Sequence, residues 1–101
     1  NTSNVENMEY MFAYTESFKQ PIGSWDVSNV KDMGGLFYGA ESFNKPIGNW
    51  NVSNVKDMDG IFFNAKSFNQ DISEWNVSNV KYIKNMFMHC PIKEEYKPKF
   101  K

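Results

Sequence analysis

Two adjacent side chains near the end of the chain, His89 and Cys90, have the types that could carry out nucleophilic catalysis. A thiolate is a strong nucleophile, and an imidazole activates it when the two groups face each other. Consecutive residues of a helix do not face each other, and the sequence has no second histidine to complete a metal site. We therefore expect Cys90 to be a small core residue, with neither a catalytic site nor a metal site at this position.

Asp32 and Asp57 are a second candidate, because they lie one repeat apart and could form a carboxylate pair. A glycosidase needs two carboxylates that face one cleft, with one of them in an apolar pocket. On stacked helices the two groups would be about 10 Å apart and exposed, each next to a lysine, Lys31 or Lys56. This pattern favours solvated helix turns. We expect no catalytic residues, no cofactor and no enzymatic activity.

The elements that position these side chains form a repeat of 25 residues. The stretch Trp-Asx-Val-Ser-Asn-Val-Lys occurs at 25–31, 50–56 and 75–81, and a degenerate copy occupies 1–6. When the units are aligned, apolar residues fall in columns. One such column is Phe12, Phe37, Phe62 and Phe87. Columns of this kind arise when each unit buries the same positions against the next one.

Within a unit, the apolar residues are three or four positions apart, as at Val55, Met58 and Ile61. This spacing predicts one face of a helix. Gly39 and Asn64 suit the left-handed conformation that ends many helices. The predicted helices are 4–14, 29–39, 54–64 and 79–89.

Between the helices, apolar and polar residues alternate, with Trp50 and Val52 pointing inward, which predicts a short strand. The predicted strands are 23–27, 48–52 and 73–77. A strand that is followed by a crossover helix, repeated, gives right-handed connections and a parallel sheet. Strands lie about 4.8 Å apart and packed helices about 8 to 10 Å apart, so the stack must curve with its strands inside. The predicted fold class is therefore α/β, a right-handed solenoid of four strand–helix units with a short parallel sheet on the concave side.

The repeat is predicted to fill residues 1–90. Its units are 1–25, 26–50, 51–75 and the partial unit 76–90. Residues 91–101 lose the repeat pattern and are strongly polar. Because the ends of a solenoid need a polar cover, this tail is expected to be either a cap or a disordered terminus.

Composition excludes several classes of protein. With 101 residues the chain suits one small domain. Its 11 cations, all lysine, against 12 acidic residues argue against a nucleic-acid interface, which needs a clustered basic surface. One cysteine excludes an internal disulfide, and no apolar run is long enough for a membrane span. We expect a monomeric fragment of a longer repeat array.

The pattern Trp-Asx-Val-Ser-Asn-Val-Lys-Asp-Met, then Phe, then Ala-x-Ser-Phe-Asn-x-x-Ile, covers residues 1 to about 90. It resembles the repeats of BspA-like leucine-rich-repeat bacterial surface proteins. The resemblance implies a leucine-rich-repeat-like solenoid on the cell surface or outside the cell. It also implies a protein partner on a host or neighbouring cell, and it supplies no catalytic residue to carry over.

The outward positions of the predicted strands are the candidate binding residues. They are Ser24, Asp26, Ser28, Asn49, Asn51, Ser53, Glu74, Asn76 and Ser78. Concave solenoid surfaces commonly bind partners, so these residues predict a non-enzymatic module for protein–protein interaction or adhesion. One alternative is a structural stalk that holds another domain away from the cell.

A second alternative is carbohydrate binding through an exposed ladder of Trp25, Trp50 and Trp75. The alternation of these residues with polar ones favours a core position instead, with each indole N–H bonded to a backbone carbonyl. Two asparagine columns are interpreted as structural, because such side chains commonly bond turn backbone. Those columns are Asn4, Asn29, Asn54 and Asn79, and Asn44 with Asn69.

Overall fold

A computed structural model describes residues 4–100, so the start of the predicted unit 1–25 and the last residue of the predicted tail 91–101 lie outside the described residues. The predicted α/β solenoid is wrong. Within 4–100 the only helix is a 3₁₀ turn, Glu94–Tyr96, and there is no strand and no sheet. The parallel contacts between units are bridges of single residues. They join Asn7 to Asp32, Asp32 to Asp57, and Asp57 to Tyr82.

The predicted helices are replaced by consecutive tight turns, in which an N–H donates to the carbonyl three residues before it. In the second unit the N–H of Leu36 donates to the carbonyl of Met33 at 3.1 Å. The intervening N–H groups donate to the next unit instead, as Phe37 does to the carbonyl of Ile61 at 2.8 Å. A backbone N–H is a single donor, so an N–H that donates to the next unit cannot also donate to the carbonyl four residues back in a helix.

Two positions in every unit adopt the left-handed backbone conformation, which a helix interior does not tolerate for L-residues. In the second unit these are Gly35 and Gly39, with φ of 64° and 68°. The others are Tyr10, Tyr14, Gly60, Asn64, Asn85 and His89. The left-handed conformation predicted for Gly39 and Asn64 is confirmed, but these residues lie within runs of turns and end no helix.

The predicted strands are also turns. The N–H of Trp25 donates to the carbonyl of Ile22 at 3.1 Å, and the N–H of Val30 donates to that of Val27 at 3.0 Å. The same two bonds recur in the next two units. Residues 25–27 lie between the central residues of the two turns. These three residues are enough to produce the alternation of inward and outward side chains without a strand.

A ladder of stacked aromatic rings runs through the core, beside buried aliphatic columns. Phe37 stacks on Phe62 with ring centroids 5.5 Å apart and planes 5° apart, and Phe62 stacks on Phe87 at 5.7 Å. A second column runs beside it, with Phe43 4.4 Å from Phe37. The near-parallel planes follow from the stacking of identical units, and these rings exclude water from the centre of every junction.

The tryptophans belong to this core. Trp50 and Trp75 are each 4% exposed and stack at 6.3 Å, while Trp25 is half-buried against Phe12. The indole N–H groups of Trp50 and Trp75 donate at 3.0 Å to carbonyls of the preceding unit, those of Ile22 and Ile47. The core position and the carbonyl partner are confirmed for these two residues.

The asparagine columns bond one unit to the next. The Asn54 side-chain amide donates to the carbonyl of Ser28 at 2.7 Å, and the Asn44 side-chain oxygen accepts from the N–H of Asn69 at 2.8 Å. Asn79 repeats the first bond one unit later. Their structural role is confirmed at these positions.

Residues after the last recognisable unit pack on the third unit. Ile92 is buried, and the carbonyl of Tyr96 accepts from the N–H of Ile72 at 3.0 Å. The N–H of Lys93 donates to the side chain of Asn69 at 3.0 Å. This segment therefore satisfies donors and acceptors that the third unit leaves open.

Adjacent units approach each other so closely that one added methyl group tests the contact between them. A Cβ at Gly48 would lie 2.6 Å from the carbonyl oxygen of Asp71 in the next unit, so we expect Gly48→Ala to destabilise the protein by about 1–3 kcal/mol through overpacking. Ser73 occupies the equivalent position in the third unit and already carries a Cβ, so Ser73→Ala removes only the bond from its hydroxyl to Asp71 and should cost about 0.5–1 kcal/mol. Urea unfolding of both variants measures the difference. Equal stability would contradict the close approach.

Candidate functional site

The nine predicted binding residues lie together on one surface, which we call the turn row. They are exposed or half-buried: Ser24, Asp26, Ser28, Asn49, Asn51, Ser53, Glu74, Asn76 and Ser78. Because the chain has no sheet in the described part, this surface consists of stacked turns and not of the predicted concave strands.

Most polar groups of the turn row are already used within their own turns. The Asp26 side-chain oxygen accepts from both the N–H and the hydroxyl of Ser28, at 3.0 and 2.6 Å. Asn51 and Ser53 repeat this arrangement at 3.0 and 2.7 Å. The hydroxyl and then the N–H of Ser28 lower the pKa of Asp26 below its ordinary value. These side chains stabilise turns, and a ligand would have to compete with those bonds.

A different surface, which sequence reasoning missed, carries a row of exposed and half-buried aromatic rings. We call it the aromatic strip: Tyr10, Tyr14, Tyr38, Phe63 and His89. Tyr38 stacks on Phe63 at 4.6 Å, and the two other tyrosines approach Tyr38 edge-on at 6.1 and 5.4 Å. The ring of His89 contacts Phe63 edge-on at 5.9 Å. The strip therefore runs without interruption across all four units.

Glycines in the left-handed positions make room for this strip. A Cβ at Gly35 would overlap the ring of Tyr10, and one at Gly60 would lie 3.4 Å from the ring of Tyr38. A residue larger than Gly35 would displace the ring of Tyr10, whereas the ring of Tyr38 leaves room for a Cβ at Gly60. The position of Tyr10 thus depends on the glycine one unit further along.

Three strip residues hold a strained backbone. Tyr10, Tyr14 and His89 have φ of 57°, 61° and 62°, whereas glycine or asparagine occupies the same two positions in the second and third units. A bulky residue in this conformation costs about 1–2 kcal/mol. Strain that persists at exposed residues is more typical of function than of packing.

A groove of about 250 Å³ opens in the strip. Its lining is Tyr10, Tyr38, Asp59, Gly60, Phe63, Lys84 and Asn85. The backbone N–H of Lys84 donates to a carboxylate oxygen of Asp59 at 2.7 Å, which orients that carboxylate at the groove. The groove therefore combines aromatic faces with a carboxylate, an amine and an amide.

A second groove, of about 340 Å³, lies at the end of the turn row. It is lined by Trp75, Asn76, Val77, Ser78, Val80, Lys99 and Phe100. Val80 is half-buried, whereas Val30 and Val55 in the same column are fully buried. Within residues 4–100 no further repeat unit covers this face of the last unit, so we assign the groove no ligand.

The strip escaped sequence analysis because it does not follow one column of the repeat. Tyr38 and Phe63 share a column, but Tyr10, Tyr14 and His89 come from two others. One feature of the sequence could have indicated the strip. Tyr10 and Tyr14 occupy positions where the second and third units have glycine or asparagine, the residues that a turn favours.

The two candidate carboxylates are closer than the predicted 10 Å. A Cβ at Gly34 would lie 3.3 Å from an oxygen of Asp32 and 3.4 Å from one of Asp57, so these two oxygens lie well within 10 Å of each other. The predicted distance was wrong because it assumed packed helices. Each carboxylate accepts an N–H two residues on, as Asp57 does from Asp59 at 2.9 Å.

Burial is the main cause that raises the pKa of Asp57 above its ordinary 3.8. The N–H of Asp59 opposes this increase, while the negative charges of Asp32 and Asp59 add to it. The carboxylate form of Asp57 is thus less favourable in the folded protein than in the unfolded one, mainly because of burial and in addition because of the like charges nearby.

His89 and Cys90 do not form a nucleophilic pair. Cys90 is half-buried, with its sulfur 3.5 Å from the carbonyl oxygen of Phe68, and burial raises the pKa of its thiol. His89 contacts Phe63 in the strip instead. Residues 4–100 contain no cluster of side chains that could hold a metal ion, and no helix among them is long and apolar enough to cross a membrane.

The comparison with protein families decides the classification. The family described as "Mycoplasma protein of unknown function, DUF285" matches residues 1–98. The chain belongs to this family. Comparisons of this DUF285 chain with curated proteins and with solved structures found no match. The family establishes no activity or ligand, so the arguments for function rest on the residues themselves.

The raised pKa of Asp57 predicts a pH-dependent stability. The folded state binds this proton more tightly than the unfolded state, so stability is lost as the pH rises from 3.8 through the raised pKa. Asp57→Asn keeps the acceptor for the Asp59 N–H, as Asn7 does for Glu9 in the first unit. We expect this variant to be about 0.5 kcal/mol more stable than wild type at pH 7.

Urea unfolding at pH 7 and below pH 3.8 measures this effect. The difference between variant and wild type should vanish at the lower pH, where Asp57 is protonated. A variant that is less stable at pH 7 would show that the carboxylate is needed in its charged form.

Proposed function

We propose that this chain is a non-enzymatic, surface-exposed module that binds a protein partner through the aromatic strip. The observation that carries the proposal is the pair of strained, exposed tyrosines, Tyr10 and Tyr14, which are 55% and 73% exposed. Tyrosine supplies a large contact area at a low entropic cost and is enriched at binding hot spots.

The shape of the strip supports a protein partner. Rings from Tyr14 to His89 cross four stacked units, so an extended segment could contact several of them at once. The polar rim that interfaces need is supplied by Asp59, Lys84 and Asn85. The turn row remains a predicted binding surface, but its polar groups are engaged in their own turns.

The location outside the cell is proposed from the resemblance of the repeat to BspA-like surface proteins. An adhesin there would meet a protein on a host or neighbouring cell. The structural stalk remains the rival in which the chain binds nothing.

Carbohydrate binding is a second candidate, now at a different site. The buried Trp50 and Trp75 offer no exposed ladder, but the strip groove joins the faces of Tyr38 and Phe63 to Asp59 and Asn85. Aromatic faces beside carboxylate and amide groups suit a sugar ring, which has apolar faces and polar edges.

Removal of the two strained rings tests the proposal. Tyr10→Asn and Tyr14→Asn introduce asparagine, which tolerates the left-handed conformation. Asparagine already occupies the equivalent positions of other units, as Asn85 and Asn64. We expect the double variant to fold with unchanged or higher stability and to bind cultured animal cells at least tenfold more weakly, as expected for loss of a hot spot. The measurement is flow cytometry with the fluorescently labelled chain.

Matched controls separate the candidates. Tyr82→Asn removes an exposed tyrosine outside the strip and should leave binding unchanged, whereas charge reversal at Asp26 and Glu74 reports on the turn row. Trypsin treatment of the cells should abolish binding to a protein, and periodate oxidation should abolish binding to a carbohydrate. Binding that survives in the strip variant but is lost on charge reversal would move the site to the turn row. No binding of wild type would favour the stalk.

A further inference from the structure

Three acidic side chains lie together at the edge of the groove in the aromatic strip. Asp59 lines this groove, and its backbone N–H donates to a carboxylate oxygen of Asp57 at 2.9 Å. The same oxygen of Asp57 and an oxygen of Asp32 both lie within 3.4 Å of the position that a Cβ of Gly34 would take. The three carboxylates are therefore close neighbours, although they come from two different units.

These carboxylates form no ion pair within residues 4–100. A lysine precedes both Asp32 and Asp57 in the sequence, yet the ion pairs of this range involve neither of them. Burial is the main cause that raises the pKa of Asp57, and the like charges of Asp32 and Asp59 add to it. The edge of the groove is therefore negatively charged, which favours a cation there.

Asp59 has a free oxygen at the groove. One of its carboxylate oxygens accepts the backbone N–H of Lys84 at 2.7 Å, which fixes the orientation of the group. The other oxygen accepts no hydrogen bond from residues 4–100, and the ammonium group of Lys84 forms no ion pair with Asp59 in that range. A donor from another molecule can therefore bond Asp59 without breaking an internal bond.

Two aromatic rings of the groove belong to the internal units of the stack. Tyr38 and Phe63 each have a stacked unit on both sides, and both are half-buried, with their ring centroids 4.6 Å apart. The groove runs along the side of the stack, from Tyr10 of the first unit to Asn85 of the fourth. Because units are added along the stack, a further unit at either end would lengthen this surface without covering it.

A planar cation on a single side chain suits this combination of groups. The groove volume of about 250 Å³ is below the range of about 300–1,000 Å³ that is typical of pockets for drug-sized ligands. The guanidinium group of arginine presents its N–H donors in one plane, bonds carboxylates and packs against aromatic rings. The sequence itself contains no arginine, so a second copy of this chain cannot supply the group.

We propose that the strip groove holds an arginine side chain of the protein partner, with its guanidinium group bonded to the free oxygen of Asp59 and packed against the rings of Tyr38 and Phe63. This assignment rests on the proposed function, because it names the group by which the partner is recognised. The charges of Asp32 and Asp57 favour the cation from the edge of the groove. The partner is therefore expected to present a basic, extended segment to the strip.

Nuclear magnetic resonance of the isotope-labelled wild-type chain tests the groove directly. The probes are the peptide acetyl-Gly-Gly-Arg-Gly-Gly-amide and its citrulline counterpart, in which a neutral urea group of nearly the same shape replaces the guanidinium. We expect the arginine peptide to shift the amide signals of Gly60, Phe63 and Asn85, and the citrulline peptide to bind at least about tenfold more weakly, because hydrogen bonds between charged groups are stronger. Equal binding of the two peptides, or no shift at millimolar concentrations, would overturn the proposal.

Removal of one charge tests the role of the carboxylate. Asp59→Asn keeps an oxygen that can accept the N–H of Lys84, and we expect this variant to bind the arginine peptide at least about tenfold more weakly. The matched control is Asp26→Asn, which makes the same change in the turn row, where Asn51 holds the equivalent turn of the next unit. The control should bind like wild type. Unchanged binding of Asp59→Asn would contradict the proposed contact.

Lys84→Gln tests the sign of the charge that the groove selects. It keeps the backbone N–H that bonds Asp59 and removes the ammonium group at the groove. The arginine peptide should bind this variant about two- to fivefold more tightly, the effect expected for loss of an exposed like charge. Weaker binding would mean that the groove favours an anion. Because the side chain is exposed, this variant also remains informative if Asp59→Asn fails to fold.

Other occupants are tested in the same titration. Choline stands for the cationic headgroup of a lipid, and methyl glucoside stands for the sugar of the second candidate function. Binding of either compound as tightly as the arginine peptide would overturn the assignment to a protein side chain.

Binding of the same variants to cultured animal cells separates this proposal from the proposed function. Loss of cell binding in both the double tyrosine variant and Asp59→Asn supports both. Loss in the tyrosine variant alone would leave the strip as the binding surface and overturn the arginine assignment. A wild-type chain that binds the arginine peptide but no cells would support the groove chemistry and overturn the proposed adhesion.

Discussion

The hydrogen bonds between units are the constraint on which the rest of the structure depends. Alternate N–H groups leave the local chain and donate to the next unit, and the residues between them close tight turns. This division requires left-handed backbone at two positions per unit. It also sets the separation of the units, because a backbone bond of 2.7–3.0 Å at these positions brings neighbouring turns as close as the strands of a sheet, about 4.8 Å. The phenylalanine rings stack at 5.5–5.7 Å as a consequence of the same spacing.

Close spacing determines which side chains can be used for function. Inside, it stacks the phenylalanine and tryptophan rings in register, beside columns of buried valine, isoleucine and methionine. Outside, the tyrosine rings of one unit lie over the backbone of the next, so that Gly35 and Gly60 are buried. The polar turn row stabilises its own turns, whereas the left-handed backbone at Tyr10 and Tyr14 does not require tyrosine, since glycine or asparagine adopts it in the second and third units. That contrast is why the proposed interaction is assigned to the aromatic strip.

The sequence by itself determined the repeat length, the inward tryptophans, the structural asparagines and the left-handed residues Gly39 and Asn64. These follow from side-chain type and column position, which stacking preserves whatever the local backbone does. Helix or turn was decided only by the tertiary structure, because apolar residues three or four apart at Val55, Met58 and Ile61 fit both. In a helix each N–H donates to the carbonyl four residues back, whereas here alternate N–H groups donate to another unit. The local sequence pattern does not distinguish these two acceptors. The aromatic strip was likewise invisible, since Tyr14 and Tyr38 become neighbours only when the units are stacked.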